Sequence, residues 1–182
     1  LADMFNYVLP LVKAGLSTKD VDDLCKDFIM SQGGTPAWYQ EDFPGAACIS
    51  INNEVIHGIP SKKRIIKEGD IVSVDLVALK NGFNGDAART FIVGNSSKEA
   101  KRLVDVTKQA FFEGIKYAKI GNRISDISSA IQEYVEKNGY SVVREFQGHG
   151  IGQDMHEDPG IPNYGKAGKG ARLEPGMTIA IE

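Results

Sequence analysis

Cysteine is scarce. The only two, Cys25 and Cys48, form neither a zinc-ligand spacing nor the dense framework of a small secreted domain. Cys25 falls on an apolar-periodic helix position and Cys48 in the strand-like run AACISI, so both are predicted to be buried thiols in a reducing compartment. No run approaches the roughly 18 consecutive apolar residues of a membrane span, and no charged-then-apolar leader opens the chain. The expectation is a cytoplasmic protein without a membrane partner. Basic residues are not in excess either: the net charge is −3. Lys62-Lys63-Arg64 reads as a solvated turn, so no nucleic-acid surface is predicted. A GxSxG elbow, a phosphate loop and a GxGxxG fingerprint are all missing, and Gly148-His149-Gly150-Ile151-Gly152 lacks the spacing of the last. These gaps exclude the commonest serine-nucleophile and nucleotide-dependent chemistries.

What is present centres on Glu68 to Arg89, EGDIVSVDLVALKNGFNGDAAR. Ile71, Val72, Val74, Leu76, Val77 and Leu79 make a β-rich run, Asn81-Gly82 signals a two-residue hairpin loop, and Phe83 to Val93 can return as the partner strand. That loop sets Asp75 across from Ala88 and Val77 across from Asp86. Asp75 and Asp86 then share a face as diagonal neighbours. Two like charges so placed repel, and Asp75 lies in an apolar run that reads as buried, where an unpaired carboxylate is costly. A metal or another cation resolves both problems.

The rest of the 182 residues, 42% apolar and 25% charged, suits one globular domain over residues 1–182. Leu1, Met4, Phe5, Val8, Leu11 and Val12 form a helical stripe broken at Pro10. Ser17 or Thr18 caps a second helix to about Ser31, with Val21, Leu24, Cys25, Phe28 and Ile29 inward and Gly33-Gly34 at its end. Thr35 to Gly45 reads as a loop rich in aromatics, Ala46 to Ile51 as a strand, and Asn52-Asn53 as a turn before His57. Ser96 or Ser97 caps a long helix to about Lys119, its stripe running through Leu103, Val104, Thr107, Ala110, Phe111, Gly114 and Ile115. Ser125 caps another, with Ile127, Ile131, Tyr134 and Val135 inward and Asn138-Gly139 closing it. Ser141 to Phe146 is predicted as a short strand, and His149 and His156 as members of one loop-rich stretch.

An internal echo is visible. In Glu68 to Asp75 and again in Glu174 to Glu182, a glycine is followed six residues later by a carboxylate ending an alternating apolar strand. The echo suggests two related αβ halves about an approximate two-fold axis. Both chain ends fall inside apolar patterning, so a fragment cut at both ends is expected.

Asp75, Asp86, His149 and Glu182 form a carboxylate-rich set with one imidazole, suited to Co, Mn, Fe or Zn, and carboxylates can bridge two such ions roughly 3.5–4 Å apart. Water held between two ions is acidified, which gives hydrolysis without a side-chain nucleophile.

Four motifs in order and spacing, SINNEVIHGIP, DLVALKNGFNGDAARTF, GHGIGQDMHEDP and LEPGMTIAIE, resemble type I methionine aminopeptidases. The resemblance covers nearly the whole chain. It implies an α+β pita-bread (creatinase/aminopeptidase-like) fold: an antiparallel sheet with helices on its outer face and two pseudo-symmetric halves, here lacking its C-terminal part. It implies two divalent metal ions on Asp75, Asp86, His149 and Glu182, and attack by a metal-bridging hydroxide. His57 and His156 would be catalytic and would face the substrate, His156 at the scissile carbonyl and tetrahedral intermediate, His57 near the leaving side. Phe43, Cys48 and Met155 match positions that line the methionine pocket. The substrate would be the N-terminal methionine of a peptide or nascent protein with a small second residue. The ribosome is an implied partner, and the chain an implied monomer.

Some features depart from that pattern. The family's fifth ligand, a glutamate on a strand beyond Glu182, and a pocket aromatic of the same segment have no counterpart in these residues, so weak metal binding and poor cleavage are expected of the 182-residue chain. Gln40 and Met155 stand where aromatics are expected. Two further readings share the fold: an Xaa-Pro peptidase, which usually carries a large N-terminal domain, and a peptide-binding module without catalysis, which typically loses ligands that are all in place here.

Overall fold

Asn81 and Gly82 both adopt positive φ, 54° and 81°, the backbone a tight hairpin loop requires. In the computed structural model, which describes residues 1–182, this loop joins β3 (Ile71–Lys80) to β4 (Phe83–Ile92). The register is the predicted one, Asp75 opposite Ala88 and Val77 opposite Asp86.

The chain divides into two compact units, Leu1–Lys101 and Arg102–Glu182. The first opens with α1 (Ala2–Val8), which passes at Leu9–Leu11 into a 3₁₀ turn containing Pro10. Next comes α2 (Thr18–Ser31). Its cap is reciprocal: the Asp20 amide donates to Ser17 Oγ at 3.1 Å, and the Ser17 amide donates to Asp20 Oδ2 at 2.7 Å. β1 (Thr35–Pro36) and β2 (Cys48–Ile51) each pair antiparallel with β3, β1 near its C-terminal end and β2 near its N-terminal end. Between them the expected loop holds a 3₁₀ turn, Ala37–Glu41, that buries Trp38. Strand alternation sorts the sheet into two faces. Ile49, Val72, Val74 and Leu76 pack with Met4, Phe5, Val8, Val21, Cys25 and Ile29 from the helices. Cys48, Asp75 and Asp86 project from the opposite face. The run around Asp75 is buried as expected at Val72, Val74, Leu76 and Val77, while Asp75 itself, on the face away from the helices, is half-buried.

The second unit carries most of α3 (Lys98–Ile115), α4 (Ile124–Lys137), β5 (Gln147–Gly150), β6 (Glu157–Pro162) and β7 (Ile179–Ala180). Its sheet is ordered β6-β5-β7, antiparallel throughout. Ala110, Ile124, Ile127, Ile131, Ile161 and Leu173 form its core. Several expectations fail here. α3 ends at Ile115 and buries Val106, Ala110 and Gly114 rather than its larger apolar residues. A Cβ on Gly114 would stand 2.7 Å from Ile131 Cγ1, so close helix contact selects the small side chain. α4 is preceded by Arg123, whose amide donates to Asp126 at 2.7 Å. Ser125 lies inside the helix, and its hydroxyl donates to Lys169 O at 2.8 Å. Ser141 to Phe146 is irregular. The strand is instead the glycine-rich Gln147–Gly150, held by ladder bonds that propensity does not register.

Candidate metal centre

In the first unit the two aspartates stand on adjacent strands of one sheet face. The register places Asp86 opposite Val77, two residues along from Asp75 on β3, which makes the carboxylates diagonal neighbours. Cys48 pairs directly with Asp75 across β2 and β3 and is fully buried. Burial raises its thiol pKa well above the ordinary cysteine range, and the nearby Asp75 and Asp86 carboxylates push it further the same way. Cys48 is thus a neutral, polarizable thiol rather than a nucleophile. Phe43 is half-buried, its ring centroid 5.4 Å from that of Trp38.

His57 is exposed on the irregular segment between Asn52 and Arg64 with φ of 55°, and its ring meets that of Trp38 edge-on at 5.2 Å between centroids. A β-carbon on the next residue, Gly58, would lie 2.3 Å from the Ile49 carbonyl oxygen. Only glycine lets this backbone rest on β2.

In the second unit His149 is buried on β5, opposite Ala180 of β7. Its Nδ1 lies 2.7 Å from the Gly150 carbonyl oxygen, which can only accept, so Nδ1 carries the proton. Nε2, on the opposite side of the ring, lies 3.1 Å from Glu182 Oε1, where a cation could be shared between them. The His156 ring is 4.5 Å from that of His149. It is exposed and precedes β6, with buried Met155 before it. The two histidines expected in a loop are therefore divided, His149 on a strand and His156 just before one. An imidazole with its second nitrogen already oriented and a carboxylate within 3.1 Å make a donor pair that fits a divalent transition metal. The two aspartates make another.

Some residues escaped sequence reading. Asp22 is fully buried in α2; its Oδ1 accepts the Ala46 and Ala47 amides at 2.7 and 2.9 Å, and its Oδ2 accepts Lys19 Nζ at 2.7 Å. The hydrogen bonds that Lys19 donates to Asp22 and Asp23 hold its ammonium well above the usual lysine range. Arg64, predicted as part of a solvated turn, bonds Glu54 through Nη2 and donates through Nη1 to Ile59 O at 2.6 Å. Neither had a signal in the sequence, since the partner amides of Asp22 lie 24 and 25 residues away.

Residues 1–182 match the profile of metallopeptidase family M24 from end to end. The chain belongs to that family. Among curated M24 relatives, the methionine aminopeptidase of Clostridium acetobutylicum is 52% identical over 183 residues, spanning 100% of this chain and 73% of that protein. Methionine aminopeptidase 1 of Bacillus subtilis is 50% identical over 172 residues, 94% of this chain and 69% of that one. In three dimensions the chain resembles the methionine aminopeptidase of Thermotoga maritima with a TM-score of 0.96 at 43% identity, covering 99% of this chain and 73% of that one. The Xaa-Pro dipeptidase of Bacillus anthracis gives 0.85 at 25% identity, over 98% and 48%. The M24 chain thus has the pita-bread fold, and it is a metal-dependent aminopeptidase.

Proposed function

We propose that this chain carries the site at which an N-terminal methionine is removed from a peptide or nascent protein with a small second residue. The observation that carries the reading is the match to methionine aminopeptidases along the full chain at about half identity. In this reading the two units form one catalytic domain, and the ligands of two divalent ions, Co, Mn, Fe or Zn, are Asp75, Asp86, His149 and Glu182. When bound, the ions supply Lewis acidity at the scissile carbonyl and lower the pKa of water to the neutral range.

The chain's own residues then divide the remaining work. The Gly150 carbonyl keeps the His149 tautomer that presents Nε2. His156 stands at the carbonyl undergoing attack and stabilises the charge that develops there. His57 contacts the substrate on the leaving side. Phe43, Cys48 and Met155 line the pocket for the methionine side chain, an apolar and polarizable lining for a thioether. The working compartment is the cytoplasm, and the ribosome, where nascent chains emerge, is the partner.

The test compares Met-Ala-Ser with Xaa-Pro-Xaa peptides in the presence of each metal. Slow release of methionine that stops with a chelator and returns with a divalent cation is expected of the 182-residue chain, together with at least roughly tenfold weaker metal binding by titration calorimetry in Asp86→Asn and in His149→Ala. Preferential cleavage of Xaa-Pro-Xaa would instead place the chain with the dipeptidases of this fold, and unchanged metal binding in both variants would remove the ligand assignment.

A further inference from the structure

His57 occupies a conformation that costs an L-residue about 1–2 kcal/mol, and it does so as an exposed residue of a segment with no regular secondary structure of its own. Such a conformation persists only where the surroundings over-determine it. Gly58 supplies the first constraint, because its carbonyl accepts the Ile49 amide at 2.8 Å and its own amide donates to Ser50 Oγ at 3.1 Å. The second comes from Arg64. One arm of its guanidinium donates to the Ile59 carbonyl at 2.6 Å, and the other is paired with Glu54. Glu54 Oε2 also accepts the Ile51 amide at 2.8 Å, at the end of β2.

The base of this brace is itself anchored. The Thr18 amide donates to the Arg64 carbonyl at 2.8 Å, Thr18 Oγ1 donates to Ser61 O at 3.1 Å, and the Ser61 amide donates back to Thr18 Oγ1 at 2.9 Å. The segment is therefore tied to β2 at one end and to the first turn of α2 at the other, with the Arg64 fork spanning the gap. A partly exposed ion pair of this kind adds only about 0–1 kcal/mol to stability. Its value lies in the planar, two-armed geometry, which holds a carbonyl and a carboxylate at once and which lysine does not reproduce.

We propose that Arg64, clamped by Glu54, is a positioning residue that fixes the backbone around His57 and so aims the imidazole at the substrate. The proposal rests on the reading of His57 as a substrate-facing group and adds the device that places it.

A double-mutant cycle on the metal-loaded enzyme tests it. Arg64→Ala is expected to lower kcat roughly tenfold while KM stays within about twofold, because the reacting geometry loosens and the methionine pocket does not. Arg64→Lys is expected to fall in between. In a His57→Ala background, Arg64→Ala should add nothing beyond about twofold, and in the metal-free protein it should speed hydrogen exchange at the Gly58 amide. Additive losses, or unchanged Gly58 exchange, overturn the proposal. His57→Ala with full turnover would overturn the reading of His57 itself, a distinct outcome. If circular dichroism shows Arg64→Ala unfolded, Glu54→Gln takes its place: it keeps an acceptor for the Ile51 amide and loses the ion pair, and the same two criteria decide.

Discussion

The two units are built on one backbone plan with few shared residues. In the first, Gly15 turns with φ of 96°, its amide bonds Ile66 O at 2.9 Å, Ile66 N returns to Leu16 O at 2.8 Å, and Ser17 bridges Ile65 before α2 begins. In the second, Gly121 turns with φ of 89°, its amide bonds Leu173 O at 3.0 Å, Leu173 N returns to Asn122 O at 2.8 Å, and Arg123 bridges Arg172 before α4 begins. Each helix runs 14 residues. Each bridge leads into a turn whose glycine, Gly69 or Gly176, has φ of 89°, and six residues later stands Asp75 or Glu182. The residues kept in both copies are those with a conformational or capping duty: the glycines, and the aspartate three residues into each helix cap, Asp20 and Asp126. The echo read from the sequence is thus a repeated hydrogen-bonding scheme within each unit.

The differences fall where function would put them. Counting from the turn glycines, His149 takes the strand position of Ser50, so a hydroxyl on β2 corresponds to an imidazole on β5, the one proposed as a metal ligand. Asp22 of α2 corresponds to Ser128 of α4. Both are fully buried, but Asp22 binds two amides of the segment leading into β2, whereas Ser128 only back-bonds to Ile124 O of its own helix at 3.4 Å. The segment tied by Asp22 is buried at Ala46 and Ala47. Its counterpart before β5, Ser141 to Phe146, is irregular and mostly exposed. A buried carboxylate thus separates a sealed approach to the sheet from an open one.

The largest expected effect separates those two positions. Asp22→Ala leaves two buried amides without an acceptor and should cost about 3 kcal/mol, while Ser128→Ala, which removes one long back-bond, should stay within about 1 kcal/mol. Urea midpoints at pH 7 measure both. Equal losses would mean that Asp22 does no more than Ser128. A smaller contrast concerns the turn glycines. Gly69→Ala and Gly176→Ala both force a Cβ into the left-handed region, at about 1–2 kcal/mol each. Only Gly69 also brings that Cβ to 3.0 Å from the Asn95 carbonyl oxygen, with open space around Gly176. Gly69→Ala should therefore be the more destabilising, by about 1 kcal/mol.

The same comparison explains what could be read in advance. The hairpin register, the cap of α2 and the carboxylate echo follow from local chemistry, a left-handed dipeptide, a serine three residues before an aspartate, and a glycine turn, so neighbouring residues suffice. The family motifs carried the four ligand candidates for the same reason: each ligand sits in its own short run. Asp22 was invisible because nothing near it in sequence needs a buried acceptor. Arg64 was misread because a basic turn looks alike whether its guanidinium faces water or a carbonyl five residues back. The inward face of α3 was read correctly at Ala110 and Gly114 but too broadly, since Leu103, Phe111 and Ile115 are exposed while Val106, outside the stripe, is buried. β5 was read as loop because glycine has low strand propensity, although its partners on both sides hold it extended.

The smallest effect tests whether the repeated caps work alike. Hydrogen bonds from Ser17 lower the Asp20 carboxyl below its ordinary range, and the Arg123 and Gly168 amides do the same for Asp126. In each case the folded pKa lies below the unfolded one, so the stabilisation is present above about pH 4, the unfolded value, and disappears as pH falls through the folded pKa. Asp20→Asn and Asp126→Asn keep an acceptor and remove the charge. Each should be less stable than the parent at pH 7, and the gap should narrow as the pH falls below about 4, the unfolded carboxyl value. Urea midpoints across that range give the answer. Matching curves mean that the two caps are one electrostatic device used twice. A gap that persists at low pH in one variant would show that its aspartate acts through shape and hydrogen bonding rather than charge, and the likeness between the two caps would then stop at the backbone.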